Sequence, residues 1–332
     1  MLNVTQLDEA AAIIKDGGLV AFPTETVYGL GANALNDEAC KAIYAAKGRP
    51  SDNPFIIHLY NVDEVAKVAK LNKAAEKLLA SFAPGPLTLV LPKIAGVVCS
   101  IATAGLDSVA VRVPSHPVAQ KLLQLAELPI AAPSANLSGR LSATTFEMVK
   151  EQLDGKIAAI IQDDSKIEWG LESTVVSLLN PNEPILLRSG AISLEELEEA
   201  LSQKITLGEE LKEETPRSPG QKYAHYRPPV PLYLIKEQYF NFDYLVKLYG
   251  REKLGLLCLV KPPPSLPAGW NVSSFDNFND YASNLYKELA RFSQNCVKIV
   301  AVLPSRQLLG RALNDRLLKA AAGNFVPLIK EE

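Results

Sequence analysis

The chain has 332 residues, of which 48% are hydrophobic and 21% are charged, and its formal net charge at pH 7 is -3. The hydrophobic share excludes a wholly disordered protein, and the length is sufficient for two domains. No apolar run reaches the roughly 18 residues that a membrane-spanning helix needs, so we expect no membrane contact. The four cysteines are scattered without a C-x-x-C pair, which favours a reducing, cytoplasmic location.

Short apolar runs rich in β-branched residues alternate with helical patterns through the first 200 residues. The first 18 residues have acids inside an apolar pattern and no basic segment, which predicts a helix and not a signal peptide. Strands are then predicted over 19–22, 55–59, 87–91, 109–113, 129–132, 157–161, 174–178 and 185–187. Helices are predicted between them over 37–47, 63–71, 73–81, 116–126, 143–152 and 194–201. This alternation predicts one α/β domain with a mixed sheet over residues 1–201.

The character of the sequence changes after this domain. Residues 202–230 are polar and charged and then rich in proline, which predicts a linker. Residues 231–332 return to the earlier pattern, with strands predicted over 232–235, 254–260, 297–302 and 325–328 and helices over 238–248, 280–292 and 306–321. We therefore expect a small Rossmann-like α/β domain at this end of the chain. It has no G-x-G-x-x-G segment, so nothing indicates that it binds a dinucleotide.

The segment AFPTETVYGLGANA, residues 21–34, has an unusual composition. A predicted strand ends at a proline, and Thr24, Glu25 and Thr26 follow it before two glycines, Gly29 and Gly31. Glycines allow a ligand to approach the backbone closely, and threonine hydroxyls offer hydrogen bonds. The alternative is a tight turn before a capped helix, and the spacing alone leaves both interpretations open.

Two cations follow at the end of the predicted helix 37–47. Lys47 and Arg49 flank Gly48 in AAKGRPSDNP, where prolines restrict the loop, so the pair suits a polyphosphate or a carboxylate. Cations at a helix C-terminus also stabilise the helix dipole, which is the simpler explanation for them. His58 lies within an apolar strand, where a histidine is more often a hydrogen-bonded core residue than a base or ligand.

Further polar residues lie within or beside other predicted strands. Arg112 stands inside an apolar strand, where an arginine either has a buried anionic partner or points to solvent. The others at strand ends are Ser134, Asn136, Ser173 and Arg188. Such residues converge on the ligand crevice of an α/β sheet, so together they favour a site for an anionic small molecule. The sequence has no P-loop, nucleophile elbow or H-E-x-x-H segment.

These segments resemble those of a known family. FPTETVYGLG, KGRPSDNP with IIH, AVRVP, APSANLSG, ESTVV and LLRSG are similar to the threonylcarbamoyl-AMP synthase family, which has the YrdC-like fold. SPGQKYAHYRP in the predicted linker and LLGRALNDRLLKAA near the end resemble the two-domain members. Gln221 replaces a methionine that is common in the linker motif.

The resemblance implies a nucleotidyltransferase that makes L-threonylcarbamoyl-AMP and pyrophosphate from ATP, L-threonine and bicarbonate or carbon dioxide. The product would pass to a tRNA threonylcarbamoyl-transferase complex, with weak or no direct tRNA binding by this chain. We expect Mg²⁺ to accompany ATP and no tightly bound cofactor.

The resemblance also implies roles for particular residues. Lys47 and Arg49 would be catalytic. Threonine would be bound by Thr26, His58, Arg112, Ala132 (through its backbone) and Ser173. ATP would be bound by Arg49, Asn53, Ser108, Ser134, Asn136, Ser142, Arg188 and Tyr223.

Two alternative functions remain. A double-stranded RNA or tRNA-binding module without chemistry is the first, and the excess of acids over bases in residues 1–200 argues against it. Carbamoyl transfer in metalloenzyme maturation is the second, but the chain lacks the length and the cysteines of the modules that accompany it. The segment that holds Tyr223 is either a lid or a passive tether.

Overall fold

A computed structural model describes residues 1–208, 226–304 and 310–327. The chain divides into two compact units. The first consists of Met1–Ser138 and Ser142–Tyr223, and the second of Gly139–Leu141 and Ala224–Glu332. The predicted domain bounds at 201, 202–230 and 231 stay predictions, although Thr206–Leu207 adds a short strand to the sheet of the first unit.

The first unit is built around a mixed sheet. Its strands are β1 (Leu2–Asn3), β2 (Val20–Phe22), β3 (Gly29–Asn33), β4 (Ile56–His58), β5 (Leu87–Pro92), β6 (Ser108–Arg112), β7 (Ile130–Ala131), β8 (Ala159–Gln162), β9 (Thr174–Ser177), β10 (Ile185–Arg188) and β11 (Thr206–Leu207). Their order across the sheet is β1-β8-β2-β3-β7-β4-β6-β5-β9-β10-β11. Parallel and antiparallel pairs alternate irregularly, as the predicted mixed sheet requires.

Helices cover this sheet. They are α1 (Leu7–Lys15), α2 (Asp37–Lys47), α3 (Val65–Val68), α4 (Lys73–Phe82), α5 (Pro117–Ala126), α6 (Phe146–Leu153) and α7 (Leu194–Leu201), with a 3-10 turn over Val62–Glu64. Helices α1 and α5 pack on the β2, β7 and β8 region through a core of alanine, leucine and isoleucine side chains. Burying such apolar surface is the main force that holds helix and sheet together.

Helix α2 shows how local signals position Lys47, one of the candidate site residues. The side chain of Asn36 accepts hydrogen bonds from the backbone N–H groups of Glu38 and Ala39, which caps the first turn. Gly48 adopts a left-handed conformation (φ 60°) and ends the helix. Lys47 is therefore the last helical residue, as the sequence predicts.

Several predicted bounds are wrong for physical reasons. The helix predicted over 63–71 is only a 3-10 turn and the four-residue α3. The helix predicted over 143–152 starts later, because the Thr145 side chain caps it at Met148 N. Strand β3 was not predicted, since two glycines and no polar alternation obscure it. It pairs antiparallel with β2, which encloses the loop over residues 23–28.

The second unit is a parallel sheet with helices, which agrees with the Rossmann-like prediction. Its strands are β12 (Leu232–Lys236), β13 (Leu254–Cys258), β14 (Asn271–Ser274) and β15 (Lys298–Leu303), in the order β12-β15-β13-β14. Its helices are α8 (Phe242–Tyr249), α9 (Phe278–Asn295) and α10 (Gly310–Ala320), with a 3-10 turn over Glu237–Tyr239. Strand β14 was not predicted. Of the strand predicted over 325–328, residue 328 lies outside the described residues, and the described part forms only a bridge between Leu234 and Phe325. In the parts described, no helix combines the length and the apolar character needed to cross a membrane.

Candidate active site

Strand register brings four of the five predicted threonine-site residues into one row across the first sheet. His58 at the end of β4 is the direct partner of Arg112 at the end of the parallel strand β6. On one side of this pair, Ala132 follows β7 and donates its backbone N–H to Ile56 O (2.9 Å). On the other side, Ser173 directly precedes β9, which pairs with β5. The sheet therefore brings together His58 and Ser173, which are 115 positions apart in the sequence.

The loop between β2 and β3 lies against this row and is fully buried. The Thr24 and Thr26 hydroxyls are 2.9 Å apart, and Thr24 Oγ1 also donates to Val27 O at 2.6 Å. Glu25, between them, accepts a 2.7 Å hydrogen bond at Oε1 from Arg112 Nη2. Both side chains of this ion pair are almost entirely shielded from solvent, at 3% exposed for Glu25 and 5% for Arg112. Glu25 is thus the anionic partner that a buried Arg112 requires.

His58 is neutral at ordinary pH in this environment. Burial, and to a smaller extent the charge of Arg112, lowers its pKa from 6.5 to about 3. Its Nδ1 lies 3.1 Å from Ile56 O. Because a carbonyl oxygen only accepts, Nδ1 carries the proton of the neutral ring, and Nε2 is left as a hydrogen-bond acceptor. His58 is thus a hydrogen-bonded core residue with one acceptor nitrogen, and its role in binding threonine stays a prediction.

Lys47 and Arg49 lie near the other end of β4. The buried Lys47 Nζ donates to the backbone oxygens of Ser134 and Asn136, which holds the loop after β7 against the end of α2. Burial and the nearby Arg49 lower the pKa of Lys47 well below its usual value. An anion bound beside the two cations would favour the charged form of Lys47 again.

Arg49 is oriented by its own loop. Its Nη2 donates to Pro54 O at 3.3 Å and lies 3.5 Å from Asn53 O, and its guanidinium lies 5.7 Å from the centre of the Phe55 ring. Asn53 is 1% exposed, and its Oδ1 has no hydrogen-bond partner among the described residues. Ser108 is also at this end, at the start of β6. The predicted nucleotide residues around Arg49 are therefore separated from Arg112 by the length of β6, about 13 Å at 3.3 Å per residue.

A polar network continues the row toward β10. Arg188 donates to Ser173 through two nitrogens, Nε to the backbone oxygen and Nη2 to Oγ, both at 3.0 Å. The Ser173 hydroxyl also lies 2.8 Å from the Thr88 hydroxyl. Ser142 donates a 2.5 Å hydrogen bond to Glu172. Ser173, which is predicted to bind threonine, is thus hydrogen-bonded directly to Arg188, which is predicted to bind ATP.

Sequence reasoning missed three of these polar partners, namely Glu25 as an ion-pair partner, Thr88 and Glu172. Glu25 had one available signal, because it is the only charged residue between Asp16 and Asp37. Tyr223 lies outside the described residues, so its predicted role stays a prediction. Among the residues that the structure describes, no group of three or more His, Cys, Asp or Glu side chains could hold a metal ion.

Glu25 also borders a cavity of about 470 Å³. Among its lining residues are Glu25, His116, Asp163 and Glu168. His116 caps helix α5 by accepting from Val118 N, and its Nε2 lies 3.5 Å from Asp163 Oδ2. Burial lowers the pKa of His116, while Asp163 and Glu25 oppose that shift.

The chain is a two-unit α/β protein whose first unit holds the buried cations Lys47, Arg112 and Arg188. Residues 12–190 match a family model described as telomere recombination, and residues 192–322 match one described as threonylcarbamoyl-AMP synthase, C-terminal domain. The chain belongs to the threonylcarbamoyl-AMP synthase family. The family and the fold class predicted from the sequence are confirmed.

Relatives match along nearly the whole chain. The threonylcarbamoyl-AMP synthase of Bacillus subtilis is 40% identical over 98% of this chain and 95% of its own length. The synthase of Pyrococcus abyssi is 41% identical over 96% of this chain and 94% of its own. A crystal structure of P. abyssi Sua5 complexed with L-threonine superimposes with a TM-score of 0.88 at 38% identity and covers 98% of both chains.

Proposed function

We propose that this chain is an L-threonylcarbamoyladenylate synthase, which converts L-threonine, bicarbonate or carbon dioxide, and ATP into L-threonylcarbamoyl-AMP and pyrophosphate. The observation that carries the proposal is the buried Arg112, held beside the neutral His58 at the ends of two parallel strands. One N–H of this arginine, at Nε, has no partner among the described residues, so it is available to the carboxylate of an amino acid.

The remaining predicted threonine residues fit the polar groups of that substrate. His58 Nε2 is an acceptor, which suits the threonine hydroxyl. The Ala132 N–H is already bonded to Ile56, so its carbonyl oxygen is the group left for a ligand. Thr26 and Ser173 add hydroxyls on either side of the row.

ATP would bind along the strand direction, with Arg49, Asn53, Ser108, Ser134, Asn136, Ser142 and Arg188 as its ligands. Arginine grips phosphate oxygens with two parallel N–H groups, and Arg49 and Arg188 are both held by backbone oxygens in defined orientations. Mg²⁺ would enter with ATP as a complex, since the triphosphate itself supplies oxygen ligands. No tightly bound cofactor is part of the proposal.

The chemistry needs no nucleophilic side chain. The threonine ammonium group first releases a proton to solvent. The free amine then adds to carbon dioxide and loses a second proton, which gives a carbamate, and the carbamate oxygen attacks the α-phosphorus while pyrophosphate leaves. Lys47 and Arg49 would stabilise the charge that develops on the phosphate oxygens, and the threonine-binding and ATP-binding residues would hold the reactants in line. Lys47 has two of its three N–H groups bonded to Ser134 and Asn136, so one remains for the nucleotide.

The product is expected to pass to a tRNA threonylcarbamoyl-transferase complex, with weak or no direct tRNA binding by this chain. Use of the product on tRNA requires that the enzyme and tRNA share a compartment, so a cytoplasmic location belongs to the proposal.

Pyrophosphate release by the purified chain tests this function. The assay contains ATP and Mg²⁺, and threonine and bicarbonate are each omitted in turn. We expect release that depends on both. Pyrophosphate release in the absence of both threonine and bicarbonate would indicate an ATP hydrolase. Tight tRNA binding without any pyrophosphate release would indicate the RNA-binding alternative. Addition of excess EDTA to the complete mixture should abolish release if the substrate is Mg²⁺–ATP.

A further inference from the structure

Glu25 is held rigidly beside the residue proposed to bind the amino-acid carboxylate. Its Oε1 accepts from Arg112 Nη2 at 2.7 Å, and its backbone oxygen accepts from Trp169 N at 3.0 Å. The side chain is buried, and the hydroxyls of Thr24 and Thr26 lie on either side of it in sequence. Glu25 therefore has little freedom to leave Arg112.

The ion pair is made through one hydrogen bond only. An arginine and a carboxylate commonly form two parallel hydrogen bonds, which satisfy both oxygens. Here Glu25 Oε2 and Arg112 Nε are both buried, and neither has a partner in the described part of the chain. A buried polar atom without a partner is costly, so two on one ion pair indicate a ligand that supplies both.

The two atoms have opposite requirements. Arg112 Nε needs an acceptor and Glu25 Oε2 needs a donor. The pair is electrically neutral as a whole, and the adjacent His58 adds no charge at neutral pH because burial lowers its pKa to about 3. A neutral pair with separated charges matches a zwitterion, whereas an isolated arginine would bind any carboxylate.

We propose that Glu25 is a specificity-determining residue, whose Oε2 receives the α-ammonium group of the amino acid while Arg112 receives its α-carboxylate. The site would thereby select amino acids over 2-hydroxy acids of the same shape. This inference rests on the proposed function and names the group that recognises the substrate amine.

The test compares L-threonine with 2,3-dihydroxybutanoate, which has a hydroxyl in place of the ammonium group. Binding of each to the purified full chain is measured by calorimetry, and the threonine KM is measured by pyrophosphate release at saturating ATP. Glu25→Gln keeps the shape and an oxygen for Arg112 but removes the charge. Glu168→Gln is the matched control, because it removes an exposed carboxylate that lines the cavity next to Glu25.

In the wild-type protein we expect threonine to bind at least about tenfold more tightly than the hydroxy acid, the factor that one charge-assisted hydrogen bond supplies. Glu25→Gln should raise the threonine KM by at least about tenfold and strengthen binding of the hydroxy acid, with the ATP KM changed less than about twofold. Glu168→Gln should leave both ligands unchanged. A merely structural role for Glu25 would weaken both ligands together.

The inference would be overturned if Glu25→Gln weakened the binding of threonine and of the hydroxy acid by the same factor. It would also be overturned if the ratio of the two affinities stayed as in the wild-type protein. If that variant does not fold, the wild-type comparison decides alone, because equal binding of the two ligands by the wild-type protein also overturns it. Failure of the proposed function is distinguishable, since the wild-type protein would then bind no threonine and release no pyrophosphate.

Discussion

His58 allows a quantitative test of the site's electrostatics. Its pKa of about 3 in the folded protein, against 6.5 for an exposed histidine, means that the folded state disfavours the charged ring. The contribution of His58 to stability is therefore complete above pH 6.5 and is lost as the pH falls toward 3. Linkage between the two pKa values gives a loss of about 3 kcal/mol between pH 7 and pH 4.

The matched variant is His58→Asn, whose side-chain amide can still donate to Ile56 O but does not titrate. Urea unfolding of both proteins is measured from pH 7 to pH 4. The background carries Trp270→Phe, so that Trp169 reports the first unit alone. We expect the wild-type protein to lose about 3 kcal/mol more than the variant over this range. Other titrating groups, His116 among them, cancel in the comparison.

Equal losses in the two proteins would refute the assignment of a neutral, buried His58. Proton NMR gives an independent check, because the chain has only three histidines and the His58→Asn variant identifies the resonance. That resonance should not shift between pH 8 and pH 5. A midpoint near 6.5 would show that the ring is accessible to water, and His58 would then be able to donate from both nitrogens.

Further substitutions test the nucleotide side of the site and the packing around Gly190. Lys47→Ala or Arg49→Ala should lower turnover at least about tenfold through lost charge stabilisation. Substitution of the exposed Lys41 on helix α2, Lys41→Ala, is the control and should leave turnover unchanged. Near-normal turnover in both Lys47→Ala and Arg49→Ala would remove these residues from the mechanism. Arg188→Lys cannot reproduce both hydrogen bonds to Ser173, so steady-state kinetics should show an ATP KM about tenfold higher, and an unchanged KM would contradict that role. Gly190→Ala would place a methyl group 2.3 Å from the Thr174 backbone nitrogen. Overpacking of this kind should reduce the free energy of unfolding by about 1–3 kcal/mol, and a variant as stable as wild type in urea would contradict it.

Much of the first unit follows from local sequence. Asn36 and Gly48 determine where α2 begins and ends, because capping bonds and a left-handed glycine involve only neighbouring residues. Apolar runs likewise predict most strands of the sheet. Strand β3 escaped prediction because its glycine-containing segment is stabilised by pairing with β2 and β7, which local propensity does not reveal.

Local sequence is enough to list the residue types available for the site: cations at the end of α2, a histidine and an arginine within predicted strands, and hydroxyls in the loop after β2. The partners of these residues depend on the three-dimensional fold. Glu25 and Arg112 are 87 positions apart, and they meet because β6 lies beside β4 in a register that sets Arg112 opposite His58. Pairing across a sheet depends on strand order and register, which no window of neighbouring residues contains.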